Sequence, residues 1–373
     1  MVFASFLVKI VYIHPKNLGY YEDHEIFSLF IGYISYILTD NNENGKLFTH
    51  YDHHIEGKYK IIFSQRLYYV KDLNRILKEI NPDVVVTKEI FSLVSLQVHK
   101  IKRKLNFKHV IIAYENTHFN NSLWGIFPIT RVISLMNRDS IFIAVTDDVA
   151  KVLLSIGVKS QNIIKSFTGL FPVSFPVTSF YHTDRQDEFK VLYIGNMFPN
   201  KGIKTLVNAF RMLKNSGYYK INLYMAGRGE LSEYVELVSK ELNNLHYLGY
   251  ITEEKKNELL TNSSLFVYPS EDIYFLKIFH RWKEQTATSV MEAMRYGLPT
   301  VVSDSGSLPE IIGRHDMVFH QGNAEELRDR ILMIYNDKKL WDNVSSFNKK
   351  RFIEKFDINK NAKSINDYLN SIQ

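Results

Sequence analysis

Glu284 and Glu292 put two carboxylates eight positions apart, where an irregular lead-in gives way to a helical pattern. The second opens the run Glu292-Ala293-Met294-Arg295-Tyr296-Gly297-Leu298-Pro299, in which good helix formers end at a glycine suited to the left-handed position and a proline stands two residues on. A short helix over 288–296 is predicted. A buried strand follows at once in Thr300-Val301-Val302-Ser303, then the 304–307 loop and a second short helix at 309–312. A helix between two parallel strands turns its N-terminus to the carboxyl edge of the sheet, where open α/β sheets bind ligands. Two acids at such a place either serve a ligand or cap the helix and sit in water.

A second stretch carries a cation to the same kind of edge. Phe189-Lys190-Val191-Leu192-Tyr193-Ile194-Gly195 reads as a strand that runs into Asn196-Met197-Phe198-Pro199-Asn200-Lys201-Gly202 and then a helix over 203–214. Strand, glycine-bearing loop, lysine and helix start together form an anion site, because free backbone N–H groups and an ammonium face one point. Alone, Lys201 also reads as an ordinary loop charge. Gly227-Arg228-Gly229 closes the next strand, a pattern that marks a tight turn more often than a ligand site. In the first half, Val110-Ile111-Ile112-Ala113-Tyr114 delivers Glu115-Asn116-Thr117-His118 to a strand end, for a ligand or for helix capping.

The elements that must hold these groups alternate strand and helix, which predicts parallel sheets. Strands are expected at 8–13, 61–63, 84–87, 110–114 and 141–146, with helix-period apolar residues over 26–38, a helix ending near Ile80 and another over 91–104. Thr146 or Asp147 caps a helix that runs to Ser155 and stops at Gly157. The polar, proline-containing stretch 169–185 breaks the rhythm and marks a domain boundary. The second half resumes it with a strand and turn at 222–229, the stretch 245–251, a strand at 263–270, helices near 324–334 and 340–349, and a last amphipathic helix over 358–372.

Glu284-x7-Glu292 with Glu-Ala-Met, Gly-Leu-Pro and Ser-Leu-Pro-Glu-Ile behind it resembles the nucleotide-sugar-dependent retaining glycosyltransferases of the GT-B fold, the large family 4 group. The resemblance implies an α/β chain of two Rossmann-like parallel-sheet domains facing across a cleft: 1–180 on the acceptor side, 187–355 binding the nucleotide sugar, and a helix at 356–373 crossing back to the first domain. It implies that Glu292 accepts hydrogen bonds from ribose hydroxyls and that Glu284 lies beside the donor sugar. Glu284, Lys201, Glu115, Asn116 and His118 become the catalytic candidates. Gly195, Asn196, Lys201, Gly202, Gly227, Arg228, Tyr250, Ile251, Thr288, Ser289 and Glu292 become the donor-binding ones, with Tyr250 placed to stack on the base. Gly19, Trp124 and Arg281 are assigned to the acceptor side. Asn196 departs from the family pattern, which has arginine there to clamp the donor diphosphate with the lysine, so Arg228 or Arg281 must compensate or turnover is weaker. Thr286-Ala287 stands where Phe-Gly is frequent, and 271–283 is an insertion rich in aromatic and basic residues, a lid or acceptor platform or else a packed surface loop. The implied reaction is transfer with retention to a glycan, lipid-linked or small-molecule acceptor, with no metal and no cofactor beyond a UDP- or GDP-sugar co-substrate. A donor-binding but catalytically weak partner subunit, and a nucleotide-sugar hydrolase or epimerase, are the alternatives.

Composition sets outer bounds. The chain's 373 residues exceed one ordinary core and suit two domains. With 45% hydrophobic and 23% charged residues it reads as globular, and the lack of cysteine excludes disulfides, thiolate metal sites and cysteine nucleophiles. A net charge of +6 favours anionic partners such as nucleotides or acidic headgroups, while no nucleic-acid motif is present. The expected location is the cytoplasm, with peripheral attachment to the inner face of a membrane left open.

Overall fold

The computed structural model describes residues 8–13, 34–39, 53–56, 59–61, 68–117, 128–167, 169–170, 188–276 and 279–371. Its contacts divide the chain into two units, Met1–Gly169 with Ile358–Gln373, and Leu170–Asp357.

The first unit runs β1 (Lys9–Ile13), β2 (Ile34–Thr39), β3 (His53–Glu56), β4 (Tyr59–Ile61), β5 (Tyr68–Val70), α1 (Leu73–Ile80), β6 (Val84–Lys88), α2 (Leu93–Lys102), β7 (Lys108–Ala113), α3 (Pro128–Asn137), β8 (Ile141–Ala144), α4 (Asp147–Ser155) and β9 (Ile163–Lys165). Seven of these strands form one parallel sheet in the order β3-β2-β1-β6-β7-β8-β9. Unbroken apolar runs such as Val84-Val85-Val86 are what strands covered on both faces require, and all three valines are buried. Thr146 caps α4 by accepting from the Val149 N–H at 3.3 Å.

Two readings from the sequence are corrected here. Of the helical pattern expected over 26–38, residues 26–33 lie outside the described residues and 34–38 belong to β2, paired parallel with β1. Of the strand expected at 61–63, only Ile61 lies among the described residues; it ends β4, which pairs antiparallel with β5 and not in the main sheet, while β3 takes the sheet edge. Strands as short as β3 and β9 carry too few residues for hydrophobic patterning to reveal them, although Ile55, Ile163 and Ile164 pack against the core.

The second unit runs β10 (Phe189–Ile194), α5 (Ile203–Asn215), β11 (Ile221–Ala226), α6 (Ser232–Glu241), β12 (Leu245–Gly249), α7 (Glu253–Asn262), β13 (Leu265–Tyr268), β14 (Ile273–Phe275), β15 (Phe279–Trp282), α8 (Thr288–Arg295), β16 (Thr300–Ser303), α9 (Leu308–Ile312), β17 (Val318–Phe319), α10 (Ala324–Asn336) and α11 (Lys338–Arg351). Its sheet is parallel in the order β12-β11-β10-β13-β16-β17. The chain winds outward from β10 to β12, then returns to start β13 on the other side of β10. That reversal is the switch point at which doubly wound sheets open a crevice beyond their carboxyl ends. The insertion at 271–283 contains the antiparallel hairpin β14–β15, outside the main sheet.

The last helix, α12 (Ile358–Ser371), belongs to the first unit, where Ile358, Ala362, Ile365 and Leu369 join the core. Their spacing makes one helical stripe, and each fully buried Ile or Leu contributes roughly 1.5–3 kcal/mol. Lys108 Nζ donates to the Leu369 carbonyl at 2.6 Å and Asn361 Nδ2 to that of Phe167 at 2.9 Å, which ties the helix down at both ends.

Candidate functional site

At the switch point of the second unit, the chain leaving β10 forms a one-turn 3-10 helix at Pro199–Lys201 and then Gly202 with φ of 65°. A Cβ at Gly202 would lie 1.8 Å from the Pro269 carbonyl oxygen, so only glycine lets the lysine turn press against the end of β13. Lys201 is thereby aimed at Glu284, its Nζ 2.7 Å from Oε2, with the two side chains only 12% and 7% exposed. A buried ion pair repays its desolvation only when further hydrogen bonds complete it. Here Ser270 Oγ donates to the same carboxylate oxygen at 2.6 Å, and the Gln285 N–H donates to Oε1 at 3.3 Å. The Glu284 carbonyl accepts from Ser307 N at 3.0 Å, and Gly306 passes so near that a Cβ would come within 2.0 Å of that carbonyl oxygen.

Two rings complete the lysine's surroundings, with Nζ 4.5 Å from the Trp282 centroid and 5.5 Å from that of Tyr268. Burial, then the charge of Glu284, hold the Tyr268 phenol well above its ordinary pKa, so it stays neutral. Ser289 at the head of α8, Ser270 and Glu284 all act on the Tyr268 hydroxyl, which sets the head of α8 near the lysine centre.

Glu292 lies on α8, one turn in from that head, and its ion pair is with Lys256 of α7 at 2.6 Å, the side chains 13% and 12% exposed. Lys256 also meets Glu253 at 2.8 Å. Burial opposes the charge on Lys256, but Glu292 and Glu253 outweigh it and raise its pKa above the ordinary lysine value. Lys256 is the site cation that sequence reasoning missed. Within Glu253-Glu254-Lys255-Lys256 it resembles a solvated helix face, and no spacing rule connects it to a carboxylate on a different helix.

The expected short helix is present with Gly297 left-handed at φ 68°, but its start is strained: Ala287, the N-cap, has φ of 33°. A residue with a Cβ is disfavoured in that region by roughly 1–2 kcal/mol, and Ala287 has no side-chain acceptor for the first amides of α8. Replacing Ala287 by glycine is expected to stabilise the protein by about 1 kcal/mol, read as a rise in the urea midpoint at unchanged slope. An unchanged or lower midpoint would show that the strain is not stored there.

The loops after β10 and β11 run together. Gly195 N donates to Ala226 O and Met197 N to Arg228 O, both at 3.0 Å, and a Cβ on Gly227, whose φ is 135°, would lie 1.9 Å from Gly195 O. The Asn196 carbonyl accepts from Tyr193 Oη at 2.9 Å. Arg228 is therefore alongside Asn196, and its guanidinium sits 5.6 Å from the ring of Tyr250, which is 63% exposed and precedes Ile251.

In the first unit, Glu115 and Asn116 are buried at the carboxyl end of β7, with Thr117 donating to Glu115 Oε1 through its N–H at 3.0 Å and through its hydroxyl. Glu89, at the end of the neighbouring β6, has φ of 62°, and its Oε1 accepts from Tyr114 N at 3.3 Å. Arg281 is exposed on β15. Gly19, His118 and Trp124 lie outside the described residues. The structure thus joins Lys201 with Glu284, joins Gly195 and Asn196 with Gly227 and Arg228, and gives Glu292 a separate cation.

Residues 177–351 match the family model described as glycosyl transferases group 1. The O-antigen chain mannosyltransferase B of Escherichia coli is 30% identical over 160 residues, which are 42% of this chain and 39% of that protein. The chain therefore spans about two fifths of the length of that curated relative. Among solved structures, a glycosyltransferase from Rickettsia africae ESF-5 superposes with a TM-score of 0.77 at 16% identity, covering 99% of both chains. Anabaena HepE in complex with UDP gives 0.75 at 14% identity, over 98% of this chain and 100% of that one. At such identities the likeness speaks for the fold alone, and that fold is GT-B.

Proposed function

Because residues 177–351 match the family model described as glycosyl transferases group 1, we propose that this protein moves a sugar, with retention, from a nucleotide-sugar donor to a glycan or lipid-linked acceptor. The observation that carries the reading is the pairing of Lys201 with Glu284 at the switch point of the second sheet, with Ser289 at the head of α8 near the Tyr268 hydroxyl that the Glu284 charge also reaches. The donor diphosphate takes Lys201 and the amides at Thr288 and Ser289, since preorganised donors facing developing negative charge each lower a barrier by roughly 3–4 kcal/mol. Glu292 accepts from the ribose hydroxyls, Tyr250 and Ile251 frame the base, and Glu284 accepts from a hydroxyl of the donor sugar. Glu115 and Asn116 serve the acceptor. The bond from the anomeric carbon to the diphosphate oxygen breaks as the acceptor oxygen bonds to the same face. The acceptor's proton passes to the departing diphosphate, whose negative charge Lys201 meets without a metal ion.

The donor is a UDP- or GDP-sugar on this reading. Two relatives bear on that choice: the Escherichia coli mannosyltransferase is named for the sugar it transfers, and HepE holds UDP. The test is incubation with a panel of UDP-, GDP- and ADP-sugars and lipid or glycan extracts, with and without EDTA. Product with retained anomeric configuration in both arms is expected. Sugar release without acceptor would favour a hydrolase, and loss of activity in EDTA would end the metal-free reading. Asn196 and the strained Ala287 favour one second reading, a donor-binding partner subunit of low activity, for which the panel would show binding without turnover. Among the described residues no helix is long and apolar enough to cross a membrane, and a cytoplasmic position at a membrane face is proposed with the lipid-linked acceptor.

A further inference from the structure

Residues 271–283 return twice to the lysine turn. At their start, Glu271 N donates to the Asn200 carbonyl at 2.9 Å and Glu271 Oε1 accepts from Thr205 Oγ1 at 2.6 Å. At their end, Trp282 brings its ring 4.5 Å from Lys201 Nζ. Between these points the hairpin is fixed to another part of the unit by Asp272, whose Oδ1 accepts from Ser305 Oγ at 2.6 Å and whose N–H donates to Gln321 Oε1 at 2.5 Å. The inserted segment is thus built onto the chain around Lys201 at both of its ends.

A lysine normally carries a mobile, strongly hydrated charge on a four-carbon stem. The Lys201 side chain is 12% exposed and its ammonium meets two aromatic rings and one carboxylate. A ring face attracts a cation more strongly once water is excluded, and a cation fixed beforehand loses less freedom when an anion arrives. We infer that Trp282 is a positioning residue for diphosphate binding: its ring holds the Lys201 ammonium in place and out of water, so that this cation grips a nucleoside diphosphate more tightly. The inference rests on the donor role given to Lys201 above. It makes 271–283 a buttress for the phosphate site.

The test is a double-mutant cycle on the full chain, with UDP and GDP as probes in titration calorimetry. Trp282→Ala is expected to weaken the tighter nucleotide about tenfold, the scale of a desolvated cation–π contact. Trp282→Phe keeps a ring face and should stay within about threefold of the parent. In a Lys201→Ala background, Trp282→Ala should weaken binding no further, because a ring that acts through the ammonium has nothing left to act on. Equal losses in both backgrounds, or a phenylalanine as damaging as alanine, would make Trp282 a packing residue only and overturn the inference. Binding of neither nucleotide by the unaltered protein would overturn it together with the donor reading. Binding by the unaltered protein with additive losses would overturn the Trp282 role and leave the donor reading standing.

Discussion

Lys201→Ala should lower kcat/KM by about 10²- to 10³-fold, the loss measured when one preorganised donor to a developing charge is removed. The substitution also leaves Glu284, whose side chain is 7% exposed, without its cation. Ser270 and the Gln285 N–H still serve that carboxylate, so the stability loss is expected to be about 1–3 kcal/mol and not the larger value for a fully orphaned charge. Adding Glu284→Gln to Lys201→Ala separates the two effects, because a neutral amide no longer needs the lysine. The double variant should recover most of the stability and none of the activity. A Lys201→Ala enzyme within threefold of the parent would remove the lysine from the reaction.

Glu292→Ala has the next largest expected effect, on donor binding. Hydrogen bonds from hydroxyls to a carboxylate contribute roughly 1.5–3 kcal/mol, so affinity should fall about 100-fold and the thermal shift given by a nucleotide sugar should all but vanish. A 2′-deoxynucleotide gives an internal control: it should bind the parent less well than its ribo counterpart, and the variant should not distinguish the two. If the variant still prefers ribose, Glu292 does not read that sugar. The variant also takes from Lys256 the stronger of the two charges that hold its pKa up against burial. A raised lysine pKa stabilises the fold fully below the ordinary lysine value and loses that contribution as pH rises through the folded one. The parent should therefore lose stability in alkaline solution over that window, and Glu292→Ala should lose less. Glu284→Ala is the contrast, impairing turnover more than nucleotide affinity.

Much of this was legible from residue order. Local rules act within a few positions: helix formers ended by Gly297 and Pro299 define α8, a threonine cap starts α4, and unbroken apolar runs mark the central strands. The family resemblance singled out Glu284, Glu292 and Lys201 on the same local grounds, because their neighbours in sequence carry the pattern. Strand order, edge strands and charge partners are not written locally. That β3 takes the edge of the first sheet, that Lys256 meets Glu292, and that Trp282 meets Lys201 depend on which surfaces pack together. Those contacts join residues tens of positions apart. The pattern within a helix or strand sets its type and its buried face, but the partner of a buried charge is fixed only when desolvation forces it to take whichever opposite charge the fold has brought within reach.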